Sequence, residues 1–93
     1  MNKYIVVSIG NTDNKLTQQE WHDFVTEVHN AISNVGKVHF FGAPGNWEAW
    51  QNAAWIFEIE PKFPNIFMQH LRDIRKKYNQ ESAFFMCGDG LFV

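Results

Sequence analysis

Two glutamates, Glu58 and Glu60, stand two residues apart in the stretch AAWIFEIE. On a strand that spacing sends both carboxylates from one face, about 7 Å apart. Paired carboxylates divide acid and base work when their surroundings differ, and no such difference can be read from this stretch. Cys87, the single cysteine, could act as a nucleophile beside a histidine. Within the aromatic run SAFFMC it reads more simply as a small buried apolar residue. The four histidines, His22, His29, His39 and His70, lack metal-ligand spacing. His22 and His29 are about two helical turns apart, and His70 with Asp73 supplies two ligands at most. CGDG has neither the glycine spacing nor the lysine of a phosphate loop, and it reads as a turn. No catalytic residue, metal ligand or cofactor is assigned, so an enzyme is the less favoured expectation.

A different chemistry is suggested by GAPGNWEAWQN, which holds Trp47 and Trp50 in a stretch punctuated by glycine and proline. The segment is about twice as long as an ordinary hairpin connection, and long loops in compact domains are often functional. Two tryptophans three residues apart share one side of a helical turn. Gln51 and Asn52 add amides that both donate and accept. The indoles either cap a core short of volume or anchor a partner. The second reading is preferred, which makes Trp47, Trp50, Gln51 and Asn52 candidate binding residues.

The elements that position these groups follow from periodicity. Lys3 to Ile9 is a β-branched run closed by the turn-rich GNTDNK. In LTQQEWHDFVTEVHNAISNVG, Thr17 and Glu20 form a capping box, with Leu16 and Trp21 at the positions of a hydrophobic staple. Trp21, Phe24, Val25, Val28, Ala31, Ile32 and Val35 then recur at helical spacing, and Gly36 is expected to supply a left-handed stop. KVHFFG and AAWIFEIE read as the second and third strands, with Pro61 ending the third. Pro64 suits the first turn of a second helix whose stripe is Phe63, Phe67, Leu71, Ile74 and Tyr78. SAFFMC is the fourth strand, and GDG turns the chain into LFV. The order β-α-β-β-α-β with right-handed crossovers predicts a single α+β domain over residues 1–93. It is a ferredoxin-like sandwich, with two helices on one face of a four-stranded antiparallel sheet in the order 4-1-3-2.

Strand alternation then assigns faces. Trp55, Phe57 and Ile59, with Ile5, Val7 and Ile9, are expected under the helices, and so are Val38 and Phe40. The opposite face would show Tyr4, Val6, Ser8, His39, Phe41, Ala54, Ile56, Glu58 and Glu60, plus one of Phe84 and Phe85. That is more apolar than a solvated face needs. Tyr4, Phe41, Ile56 and Glu58 therefore join the candidate binding residues, and an apolar patch of this kind usually marks an interface or a ligand site. Homodimerisation through the open face would satisfy it. Covering by residues 91–93 or by the long loop would also do so.

Composition narrows the partners. The chain has 93 residues and a net charge of −2, with 45% apolar and 16% aromatic residues. That describes one globular domain and argues against a dedicated nucleic-acid binder. The basic cluster Arg72, Arg75, Lys76 and Lys77 falls at a helix end, where cations complement the macrodipole. RNA-recognition domains share this topology, but YIVVSIGN and AAWIFEIE lack their basic residue and paired outward aromatics, and Glu58 and Glu60 would repel phosphate. One cysteine fits a reducing compartment. The opening MNKYIVVSIGN reads as a strand rather than a signal peptide, and no run reaches membrane-spanning length. The expectation is a cytoplasmic protein.

LTQQEW at 16–21 and WQNAAW at 50–55 resemble motifs of a group of small actinobacterial and actinophage proteins without an assigned activity. The resemblance implies a phage-related, cytoplasmic role and carries over no functional residue. Aromatic-rich chains of this size also resemble phage-encoded inhibitors of host defence as a broad type. The leading expectation is thus a non-enzymatic protein-binding module, an inhibitor or adaptor. The alternative is a dimeric α+β-barrel protein that sequesters a small ligand or works as a cofactor-independent monooxygenase or isomerase. Tyr4, His39, Asn52, Trp55 and Glu58 would be its site.

Overall fold

The computed structural model describes residues 1–11, 15–43 and 51–93. Its elements run β1 (Lys3–Gly10), α1 (Gln18–Val35), β2 (Gly36–Gly42), β3 (Asn52–Ile59), α2 (Pro64–Lys77) and β4 (Phe84–Gly88). The four strands form one antiparallel sheet in the order β2-β3-β1-β4. This is the expected α+β ferredoxin-like arrangement. No described helix is long and apolar enough to cross a membrane.

Helix α1 starts where its capping box places it. The Thr17 hydroxyl accepts from the Glu20 backbone N–H at 3.1 Å, and the Glu20 carboxylate accepts from the Thr17 N–H at 2.9 Å. Those reciprocal bonds satisfy donors that a helix start leaves unpaired. Leu16 and Trp21, the staple positions, are both buried. Trp21, Phe24, Val28, Ala31 and Ile32 then bury one helical stripe. Helix α2 has Pro64 in its first turn and buries Phe67, Leu71 and Ile74. Polar bonds also join the helices where Glu27 accepts from the Tyr78 hydroxyl and from Lys77 Nζ. Burial, and then the Glu27 carboxylate, push the Tyr78 hydroxyl well above its ordinary pKa.

The expected left-handed stop at Gly36 is corrected. Gly36 is extended, at φ −145° and ψ 178°, and β2 begins there with no intervening loop. The glycine is needed for close approach instead. A Cβ at this position would stand 2.6 Å from the Glu58 carbonyl oxygen of the neighbouring strand.

Strand alternation holds through β1 and β3. Ile5, Val7 and Ile9 pack with Ala53, Trp55, Phe57 and Ile59 beneath the helices, all of them buried. It fails in β2. Lys37 pairs with Glu58 and Val38 with Phe57, but the ladder then resumes with Phe40 opposite Ile56 and Phe41 opposite Trp55. One extra residue in a strand reverses the side on which every later side chain emerges. Phe41, expected on the open face, therefore turns to the helix side, where its ring stacks on Trp55 at 5.1 Å. Phe40, expected in the core, emerges on the open face beside Ile56. In β4, Phe85 opposes Val7 on the helix side, whereas Phe84 opposes Ser8 on the open side.

Candidate interaction surface

Register lays the open face out in rows across the sheet. The middle row runs Phe40, Ile56, Val6, Met86, one from each strand in spatial order. A row across four strands spans about 14 Å between its outer strands, and this one contains no polar side chain. The row on one side is Gly42, Ala54, Ser8 and Phe84. The row on the other side holds Lys37, Glu58, Tyr4 and Gly88. Phe40, Phe84 and Met86 are all more than half exposed.

The polar groups of this face gather at one corner. Glu58 accepts from Asn2 Nδ2 at 2.7 Å, and its other oxygen lies 3.0 Å from His39 Nε2. A carboxylate only accepts, so the imidazole is the donor and its Nε2 carries the hydrogen. Hydrogen bonds from Asn2 and His39 hold the Glu58 carboxyl below its ordinary pKa, against the opposing pull of burial. Burial and the neighbouring Glu58 charge push the Tyr4 hydroxyl up. Glu60 does not share this corner environment. It is exposed and pairs with Lys62 at 3.6 Å.

Residues 89–93 cross the sheet over the same corner. Gly90 lies on the Tyr4 ring, where a Cβ would come within 2.7 Å of a ring carbon. The Phe92 ring sits 5.7 Å from that of Tyr4 and 5.6 Å from that of His39, and the last two are 5.8 Å apart. Three rings at mutual contact distance make an aromatic cluster. Beside it, Tyr4, His39, Phe40, Ile56 and residues 90–92 line a groove of about 340 Å³. The segment thus covers the polar row and leaves the middle row open, while Leu91 and Phe92 themselves remain largely exposed.

The remaining candidates are dispersed. Gln51 is 1% exposed and works as an internal clasp. Its Oε1 accepts from Asn11 at 2.9 Å, its Nε2 donates to Gln18 at 2.8 Å, and Asn11 exchanges two further bonds with Leu16. Asn52 shares the face of Glu58 at the far end of β3, about 20 Å away at strand rise. Trp55 is fully buried on the opposite side of the sheet, so it does not join Tyr4, His39 and Glu58. Its indole N–H donates to His29 Nδ1 at 3.0 Å. That bond fixes the neutral His29 tautomer with its hydrogen on Nε2, in a groove of about 690 Å³ beside α1 that also includes Trp21, His22, Thr26 and Phe41. Trp47 and Trp50 lie outside the described residues.

Sequence reasoning missed Phe40 as part of this surface, and it offered residues 91–93 as a cover without singling out Phe92. No residue type announces the extra β2 residue that exposes Phe40. The glycine of GDG was the available signal for a close crossing over Tyr4.

Among the described residues no three of His, Cys, Asp and Glu are grouped as metal ligands. No protein-family model matches the chain, and no curated protein matches it in sequence.

Proposed function

We propose that this protein is a non-enzymatic binding module that docks a protein on the open face of its sheet, as a cytoplasmic inhibitor or adaptor of the phage type. The observation that carries the reading is the uninterrupted apolar row Phe40, Ile56, Val6, Met86 on a face that neither described helix covers. An interface core is apolar and ringed by polar groups, and the Asn2, His39 and Glu58 corner supplies part of such a rim. Trp47 and Trp50 fall in sequence between Gly42, which ends β2, and Asn52, which starts β3, and those two residues lie at the rim opposite that corner. Tryptophan is enriched among residues that dominate binding energy.

The test is affinity capture from a cell lysate with three baits: the wild type, Ile56→Lys, and the double variant Trp47→Ala, Trp50→Ala. All three should show the same far-UV circular dichroism, and both variants should lose the protein that the wild type retains. Equal retention by all three would end the reading. Unfolding of the double variant would make the indoles core residues.

A small-molecule role is the second reading, favoured by the His39–Glu58 pair next to an apolar groove. An anionic carboxylate that orients an imidazole is a general-base arrangement. Saturable binding of an apolar ligand that disappears in His39→Phe would support it.

A further inference from the structure

We infer that the partner docked on the open face is a second copy of this chain, arranged face to face about a two-fold axis. In that arrangement Leu91 and Phe92 of each copy rest on the Ile56 and Met86 row of the other. The inference rests on the reading of the open face as a protein-docking surface and names its occupant.

Three observations favour an identical partner. The first is shape. Residues 89–93 stand on the sheet as a ridge over the Tyr4–Glu58 row, while the adjoining row lies bare as a shelf. A two-fold axis requires that whatever one copy offers, the other receives. A ridge beside a shelf meets that condition, because the ridge of each copy drops onto the shelf of its mate.

The second is charge. Self-association places identical groups opposite one another near the axis, where like charges repel. The central row has no charge. Glu58, at the corner, is already matched within its own copy by Asn2 and His39, with Lys37 adding a favourable charge. Among the described residues, the centre of the face thus carries no unmatched carboxylate that would select a basic partner over a copy of itself.

The third is area. Phe40, Phe84 and Met86 are each 54% exposed, Ile56 is 41%, Leu91 85% and Phe92 73%. At roughly 200 Å² for a fully exposed large apolar residue, these six present about 700 Å² per copy. A stable interface of ordinary size takes about 800 Å² from each partner. The apolar side chains alone come close to that.

Sedimentation velocity of the full chain at tens of micromolar tests this. The wild type should sediment at about twice 10.9 kDa. Ile56→Lys on the shelf, and separately the pair Leu91→Asp, Phe92→Asp on the ridge, should each halve the mass while preserving far-UV circular dichroism. Should either variant fail to fold, dilution of the wild type through dissociation gives a second reading. Amide signals of Phe40, Ile56, Met86 and Leu91 should then shift while those of α1 and α2 stay fixed; shifts confined to the helices would overturn the inference. A wild type at 10.9 kDa even at high concentration would also overturn it, leaving the face to an unlike protein and the capture experiment to decide. A dimer that survives both variants would also overturn it, because the copies would then meet through another surface.

Discussion

Glu58 shows how much one side chain owes to its neighbours. Its carboxylate stands in a largely apolar face, and there it accepts from an amide and an imidazole that arrive from two other parts of the chain. Those bonds lower its pKa, so the stability they contribute is present above the ordinary carboxyl range and is lost as pH falls through the depressed value. Asp89, held low by its bond to Lys3, follows the same sign. Carboxyl titration by NMR should therefore give Glu58 a midpoint below 4.5, and His39→Phe should move it back up. An unchanged midpoint would mean that the imidazole bond contributes nothing. The buried amides behave differently because they carry no charge. Asn11 and Gln51 join the start of α1, the end of β1 and the start of β3 with bonds that are indifferent to pH.

At the scale of elements, both ends of α1 are set by single residues. Thr17 opens it by a cap, and Gly36 closes it by letting β2 approach the β3 backbone at once. Gly36→Ala should cost about 1–3 kcal/mol, since a methyl group 2.6 Å from a carbonyl oxygen forces the strands apart. Urea unfolding would read that as a lower midpoint with an unchanged slope. The capping box, the helical stripes, Pro64 and the two central strands were all legible in the sequence, because each is a local pattern with one physical meaning. The facing of Phe40 and Phe41 was not. Two adjacent phenylalanines satisfy either parity, and the irregularity that decides between them is a property of β2 paired with β3. Strand β4 raised the same difficulty with Phe84 and Phe85, and only its register against β1 resolved it. At the candidate surface, Ile56 and Glu58 were placed correctly because β3 alternates without interruption.

Among the described residues, one face of the sheet is covered by both helices and the other only in part, by residues 89–93, and neighbouring residues of β3 should report the contrast. Phe57 is fully buried in the core, while Ile56 is 41% exposed. Phe57→Ala should cost about 3–5 kcal/mol, a large share of the roughly 5–15 kcal/mol that holds a domain together. Ile56→Lys should change the stability of the folded monomer by less than about 1 kcal/mol. Denaturation at concentrations low enough to keep the chain monomeric would measure both. Equal costs would mean that the two faces are not distinct. Small size sharpens this asymmetry. A chain this short buries only about two-thirds of its unfolded surface, so apolar side chains left outside are a sizeable fraction of those it owns.

The pairing of β2 with β3 also has an arithmetic consequence. Residues 36–38 and 40–42 would form one regular ladder if His39 were simply absent, with Phe40 still beside Ile56 and Phe41 still beside Trp55. His39 is surplus to the hydrogen-bonded framework. What its presence delivers is an imidazole set against a carboxylate at the edge of an otherwise greasy plain, together with a third ring for Tyr4 and Phe92 to close upon.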